Sequence, residues 1–424
     1  MPRFLFFAYS LLWHLALPFL LLSPRLRCGF RTRLGISLPG SPCDLWIQAA
    51  SGGEARLALE ILKRLRPDAP LSVMVTSCTK QGLEILNGRK DLPLDDNLTV
   101  FTSYFPFDLP WVLTRFFDAV RPGTLVLLET ELWPNLLHTA RKRNCTVLVV
   151  NGRMTSRSLT RYLGLGKFFT ALAPDEILAI AGKDADRFAV LWGPDRVTEM
   201  QNIKFDRIDD QEVISYVHNP LSSLFKPRTP LVVLGSIREE EEQAVRETLL
   251  ALQKECPRTV TALFPRHMHR LEGWTKWLEE NGLTWSLRSQ LNGPSPFGSV
   301  ILWDRFGELV PAYAMARSVF VGGSMAPLGG QNFLEPLAQG VIPVIGPFWS
   351  NFQWVGEEIF EAKLVTRVHT VQELVAAIKA PMKPRARTQA RVRKFFKEKQ
   401  GGTDMACRVI ERIVKGELIV KHQL

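Results

Sequence analysis

The segment Gly322 to Glu335, GGSMAPLGGQNFLE, combines residue types that suit an anionic ligand. Glycines let backbone N–H groups approach a phosphate, and a helix N-terminus adds about half a positive charge. Glu335 lies one turn beyond Asn332 at the start of the helical pattern NFLEPLAQG, where a carboxylate can accept hydrogen bonds from a ribose diol. A tight turn on structural glycines is the plainer reading. The strand–glycine–helix context favours a phosphate or nucleotide.

Five further polar segments stand at the ends of apolar runs. In Ser51-Gly52-Gly53-Glu54 the glutamate can take a proton from an attacking hydroxyl, and the nearby helix terminus favours its ionised form. The same residues fit the S-x-x-E capping box, and from this segment alone the cap is the better reading. Glu129 and Glu131 follow another apolar run, beside Trp133. Helix N-capping accounts for one of these carboxylates, and the pair indicates a polar site. In Pro265-Arg266-His267 the arginine can pair with phosphate, with His267 either donating beside it or simply starting a helix. Lys204 in QNIKFD and the DRFGEL segment, which holds Phe306, Gly307 and Glu308, complete the set.

The elements that must position these groups alternate between strand and helix patterns. Asp44–Ala49, Leu71–Thr76, Thr124–Leu128 and Cys145–Val150 read as buried strands, separated by helical periodicity over Glu54–Leu65, Trp111–Val120 and Pro134–Arg141. The polar, proline-interrupted run 210–229 reads as a linker. Beyond it the pattern restarts with strands Leu231–Gly235, Val260–Phe264, Ser318–Val321 and Pro343–Ile345, and helices Glu239–Gln253, His267–Glu280 and Asn332–Gln339. This is an α/β chain with parallel sheets, divided into an N-terminal domain over 25–209 and a C-terminal domain over 230–424 that ends in basic helices. Two Rossmann-like domains in tandem place their strand ends, and hence the polar segments, across one cleft.

Residues 1–24 read differently. Phe4 to Leu22 contains no Asp, Glu, Lys or Arg, and Arg25, Arg27, Arg31 and Arg33 follow. At about 1.5 Å per residue its length nearly matches a hydrocarbon core of roughly 30 Å. A membrane-anchor helix is expected, with the rest of the chain on the cytoplasmic side. An interfacial amphipathic helix is the alternative, kept open by His14 and Pro18; no A-x-A-like site supports a signal peptide. The net charge of +11 suits an anionic membrane or nucleic acid. No nucleic-acid-binding signature accompanies it, so no nucleic-acid partner is expected. The six cysteines form no CxxC pair or Cys–His cluster and read as reduced thiols, with no metal site.

At these residues the sequence resembles the Kdo transferases, which attach 3-deoxy-D-manno-octulosonic acid to the lipid A precursor of lipopolysaccharide. WIQAASGGE is similar to the family's H-A-x-S-x-G-E segment. TSYFPFDLP, ETELWPN, NGRMTSRS, NIKFD, FPRHMHR, DRFGEL and GGSMAPLGGQNFLEP match further blocks in order. The resemblance implies a GT-B fold, a CMP-Kdo donor, inverting transfer without metal or other cofactor, and a place at the inner membrane. It implies Glu54 as general base, Glu129 and Lys204 as transition-state stabilisers, and CMP contacts at Arg266, His267, Phe306, Gly307, Glu308, Asn332 and Glu335. Two positions depart from the pattern: Gly52 replaces a common valine, and Gly235-Ser236-Ile237-Arg238 stands where the family has S-T-H. The alternative is a GT-B transferase or epimerase acting on a different nucleotide sugar.

Overall fold

The computed structural model describes residues 2–88, 92–206 and 213–417. Its strands form two seven-stranded sheets, parallel throughout. The first contains β1 (Leu45–Ala49), β2 (Leu71–Ser77), β3 (Leu98–Tyr104), β4 (Thr124–Leu128), β5 (Thr146–Gly152), β6 (Glu176–Ala179) and β7 (Val197–Glu199), in the order β3-β2-β1-β4-β5-β6-β7. The second contains β8 (Leu231–Ile237), β9 (Val260–Pro265), β10 (Trp285–Leu287), β11 (Val300–Leu302), β12 (Ser318–Val321), β13 (Pro343–Ile345) and β14 (Thr366–Arg367), in the order β10-β11-β9-β8-β12-β13-β14.

The central strands are apolar along their whole length because helices cover both sheet faces. In the first unit Trp46, Leu125, Leu127 and Val149 point to one side, against Phe116, Phe117 and Leu136 of the helices Pro110–Val120 and Pro134–Lys142. Ile47, Val126, Leu128 and Val150 point to the other, against Leu57 and Ile61 of the helix Gly52–Arg64. In each sheet the chain fills one side of its first strand, with β11 inserted between β9 and β10 in the second, and then crosses to the other. The order therefore reverses between β1 and β4, and between β8 and β12. The loops leaving these strand pairs cannot cover one another, so the carboxyl ends there are open to ligands.

The chain separates into one unit of Met1–Arg207 with Lys399–Leu424 and another of Ile208–Glu398. The linear reading assigned everything from 230 onward to the second domain, but the last helix, Gly402–Val414, belongs to the first unit. Its Ala406, Ile410 and Ile413 complete the core beneath β1 and β4. Asp206 fastens its start, accepting hydrogen bonds from the Gly401 amide (2.7 Å), the Thr403 amide (2.6 Å) and the Thr403 hydroxyl (2.5 Å). A Cβ on Gly402 would collide with the carbonyl oxygen of Gln201, so a glycine is required there. Of the expected linker, 210–212 lie outside the described residues, as do 207–209 of the expected first domain. The rest is packed onto the second unit, with Ile214 N–H on Gln339 (3.0 Å) and Asn219 on the Pro311 carbonyl (2.8 Å).

The N-terminal helix, Pro2–Leu22, has two apolar faces with different fates. Phe6 packs on His138 and Phe168, and Trp13 lies beside Phe107 and Trp133. On the same face Tyr9 donates to Asp108 (2.8 Å) and Ser10 to Asn135 (3.2 Å). Phe4, Phe7, Leu11, Leu15, Phe19 and Leu22 are exposed on the other face. No helix among the described residues is long and apolar enough to cross a membrane. Arg33, read with the flanking cations, is buried and clasps the carbonyls of Cys28 (3.0 Å) and Cys78 (2.8 Å).

Candidate active site

At the open point of the first sheet, β1 runs through Ser51 into the helix Gly52–Arg64. The capping box is present: Glu54 Oε2 accepts from the Ser51 amide at 2.5 Å, and Ser51 Oγ accepts from the Glu54 amide at 3.4 Å. The cap does not exclude a chemical role; it aims the carboxylate. Glu54 is 8% exposed, and burial pushes its pKa above the usual carboxylate value, against the Ser51 amide that lowers it. Among the charges that act on it, Glu129 raises its pKa and Lys204 lowers it.

Glu129 leaves the end of β4 with φ +59°, a left-handed conformation that costs a non-glycine residue roughly 1–2 kcal/mol. Its amide is tied to the Val150 carbonyl at 2.9 Å, and its Oε1 accepts from Lys204 Nζ at 2.6 Å. Lys204 is brought there by a short 3-10 turn, Ile203–Phe205. Asn202 caps that turn by accepting from the Lys204 amide (3.0 Å). Asn151, also left-handed at φ +59°, accepts from the Ile203 amide (3.0 Å). Glu54, Glu129 and Lys204 thus meet at one place although they lie on three separate segments. The strained residues stand at the strand ends where the site is built.

Glu131 is a fourth member of this cluster. Its Oε2 accepts from the Trp133 indole (2.9 Å). Burial first, and the charge of Glu54 next, push its pKa up to about 7.

At the open point of the second sheet the glycine-rich loop has a different internal partner from the one its sequence implies. Glu241, 2% exposed, accepts from the amides of Arg238 (2.9 Å), Gly323 (2.5 Å), Ser324 (3.2 Å) and Met325 (3.3 Å). Successive amides in such a turn form an anion nest. Here a side chain of the protein fills it, so those N–H groups are committed before any phosphate arrives. The helix that follows is also shorter than expected, Leu334–Ala338.

Of the remaining groups of the second unit, Arg266, His267 and Phe306 line a cavity of about 460 Å³, together with Met268 and His269. His267 stacks on His269 at 5.5 Å, and Phe306 is 81% exposed. Asn332 Nδ2 donates to Glu335 Oε1 (2.9 Å). Burial raises the Glu335 pKa, while the Asn332 hydrogen bond and the positive charge of Arg266 hold it down, which places all three residues in one electrostatic neighbourhood. Gly307, at φ +82°, turns the chain before Glu308. The Glu308 carboxylate faces inward and is held bidentately by Arg288 (2.9 and 3.0 Å) and by the Trp303 indole (2.9 Å). It shapes this loop from within.

Sequence reading singled out the groups at the centre of each cluster and missed those that hold them: Asn151, Asn202, Glu241 and Arg288. Asn202 stands two positions before Lys204, whose amide it caps, and that adjacency is a readable signal; Asn151 lies inside a quoted motif but acts on Ile203, 52 positions away. Glu241 and Arg288 act across long sequence separations and left no local trace. The variant loop at β8 shows its own strain, Ser236 having φ +59°. A Cβ on Gly52 would stand 3.2 Å from Ile85 Cδ1, tighter than ordinary contact, and 3.4 Å from the Gln81 side chain.

Residues 27–207 match the family model described as 3-Deoxy-D-manno-octulosonic-acid transferase (kdotransferase). The chain is 32% identical over 367 residues to the 3-deoxy-D-manno-octulosonic acid transferase of Haemophilus influenzae, covering 84% of each. It is 30% identical over 354 residues to the protein of the same description from Bordetella pertussis, covering 80% of this chain and 78% of that one. Among solved structures, a UDP-N-acetylglucosamine 2-epimerase superimposes with a TM-score of 0.55 at 12% identity, covering 91% of this chain and 98% of that one. That likeness is one of fold.

Proposed function

The chain belongs to the 3-deoxy-D-manno-octulosonic acid (Kdo) transferase family, and from that premise we propose that it is an inverting GT-B glycosyltransferase moving Kdo from CMP-Kdo to the lipid A precursor in lipopolysaccharide biosynthesis. The observation that carries the mechanism is the aimed Glu54 carboxylate beside the Glu129–Lys204 pair. Glu54 takes the proton of an acceptor hydroxyl as its oxygen bonds to the anomeric carbon of Kdo. The bond from that carbon to the CMP phosphate breaks, and CMP leaves with the electron pair. A base whose pKa is raised toward the working pH accepts the proton better. Arg266 and His267 hold the phosphate, Phe306 and Gly307 border the nucleotide, and Asn332 with Glu335 receives the ribose. The Glu308 carboxylate is engaged elsewhere, so its part in binding CMP is to set the loop that carries Phe306.

Incubation with CMP-Kdo and the tetraacylated lipid A precursor, with products read by mass, tests this directly. Each transfer should add the mass of one Kdo, and CMP should stabilise the protein against heat more than UDP does. Stabilisation by UDP alone, with no Kdo product, would favour another nucleotide sugar.

A pH experiment tests the cluster. Glu54 must be ionised to act, so activity falls as pH drops through its pKa, which burial places above the ordinary value. Lys204 lowers that pKa. Lys204→Ala should therefore move the acid limb of kcat/KM to higher pH and lower kcat by roughly 10²-fold. A limb that stays in place would uncouple Lys204 from the base.

The exposed stripe Phe4, Phe7, Leu11, Leu15, Phe19 and Leu22 supports a place at the cytoplasmic face of the inner membrane, with the N-terminal helix lying in the interface. The net charge of +11 favours the same anionic surface.

A further inference from the structure

Resting on the reading that the acceptor is an acylated, phosphorylated glucosamine disaccharide, we propose that the cavity lined by Tyr9, Glu131, Trp133, Tyr162 and Phe169 receives its sugar ring. The N-terminal helix, through Tyr9, is then a wall of the active site as well as a surface for lipid.

The cavity measures about 320 Å³, within the lower range of small-ligand sites. Its lining combines four aromatic residues with the single carboxyl group of Glu131. A pyranose has the matching form: apolar C–H faces that lie on rings, and a rim of hydroxyls that need polar partners. The cavity opens beside the base, because Glu131 feels the charges of both Glu54 and Glu129. Glu131 Oε2 is fixed by Trp133, and Oε1 has no hydrogen-bond partner among the described residues. Burial and the charge of Glu54 push its pKa up to about 7, so near neutral pH a share of Glu131 carries a proton that it can donate to a sugar oxygen.

Tyr9 is held for this role. Its hydroxyl donates to Asp108 Oδ2 (2.8 Å). The same carboxylate accepts from the amides of Asn135 (3.1 Å) and Leu136 (2.8 Å), at the start of the helix that follows Trp133. One buried aspartate therefore sets Tyr9 and Trp133 relative to each other. Tyr9 is half-buried and stands apart from the exposed apolar stripe, so pocket and membrane functions of this helix can be separated by mutation.

The test uses full-length protein and a water-soluble acceptor, the deacylated bisphosphorylated glucosamine disaccharide, which removes any membrane contribution. Tyr9→Ala and Glu131→Gln should each raise the acceptor KM by roughly tenfold, with the CMP-Kdo KM and vesicle binding close to wild type. Tyr9→Phe, which keeps the ring, should recover most of the affinity that Tyr9→Ala loses. An unchanged acceptor KM in both variants, with wild-type transfer intact, overturns the pocket and leaves the transferase reading standing. Equal rises in both KM values for Tyr9→Ala also overturn it, since they report general damage. Disaccharide binding without donor, followed by tryptophan fluorescence, checks the pocket even if transfer fails: binding weakened in both variants supports it, and unaltered binding overturns it.

Discussion

Glu54→Gln should lower kcat for Kdo transfer by roughly 10²- to 10⁴-fold while leaving CMP affinity and thermal stability near wild type. The glutamine is chosen because Glu54 has two tasks. Its carboxylate closes the capping box by accepting from the Ser51 amide, and a glutamine at that position still can. A glutamine cannot take a proton at neutral pH. Glu54→Ala would also lose the hydrogen bond from the Ser51 amide, half of the capping box, and would confound the two roles. Activity and melting temperature measured on the same preparation separate them. A Glu54→Gln protein that turns over near the wild-type rate would end the assignment of Glu54 as base.

The second large effect is expected at Glu241. Glu241→Gln replaces one carboxylate oxygen by an NH₂ group, which turns a donor toward amides that are themselves donors. At least one buried N–H among Gly323, Ser324 and Met325 then loses its acceptor, at about 1–3 kcal/mol each. The melting temperature should fall. CMP should bind at least tenfold more weakly, because the loop preceding Asn332 and Glu335 loses its fixed shape. Calorimetric titration with CMP and a thermal melt check this. Unchanged values in both would mean that the loop holds its form without the carboxylate.

These two residues also mark what could be read from the sequence. Glu54 was legible by position, as an acid at the end of an apolar strand pattern, yet the segment alone favoured the cap. The structure shows the cap, and the capped carboxylate stands within the electrostatic reach of Glu129 and Lys204. The glycine-rich loop was legible as an anion nest, and it is one, but its anion is Glu241. A contact made across more than eighty positions leaves no periodicity to detect. Glu308 shows the converse: the motif reads as a ligand contact, while the carboxylate turns inward to Arg288.

The alternation of short apolar runs with helical patterns determined two parallel α/β units, because strands covered on both faces must be apolar throughout. The motifs at strand ends determined the family. Other features were decided only in three dimensions. Strand order put the ends of β1 and β4 side by side, and β8 beside β12, so that acids distant in sequence share one site. The last helix went to the first unit because Asp206 and the face of Ala406 and Ile410 bind it there. The N-terminal segment, free of Asp, Glu, Lys and Arg from Phe4 to Leu22, was divided by packing into a face that touches the enzyme and a face that does not. Hydropathy counts residues along a line, whereas a helix distributes them around an axis, and only the neighbours decide which side is buried.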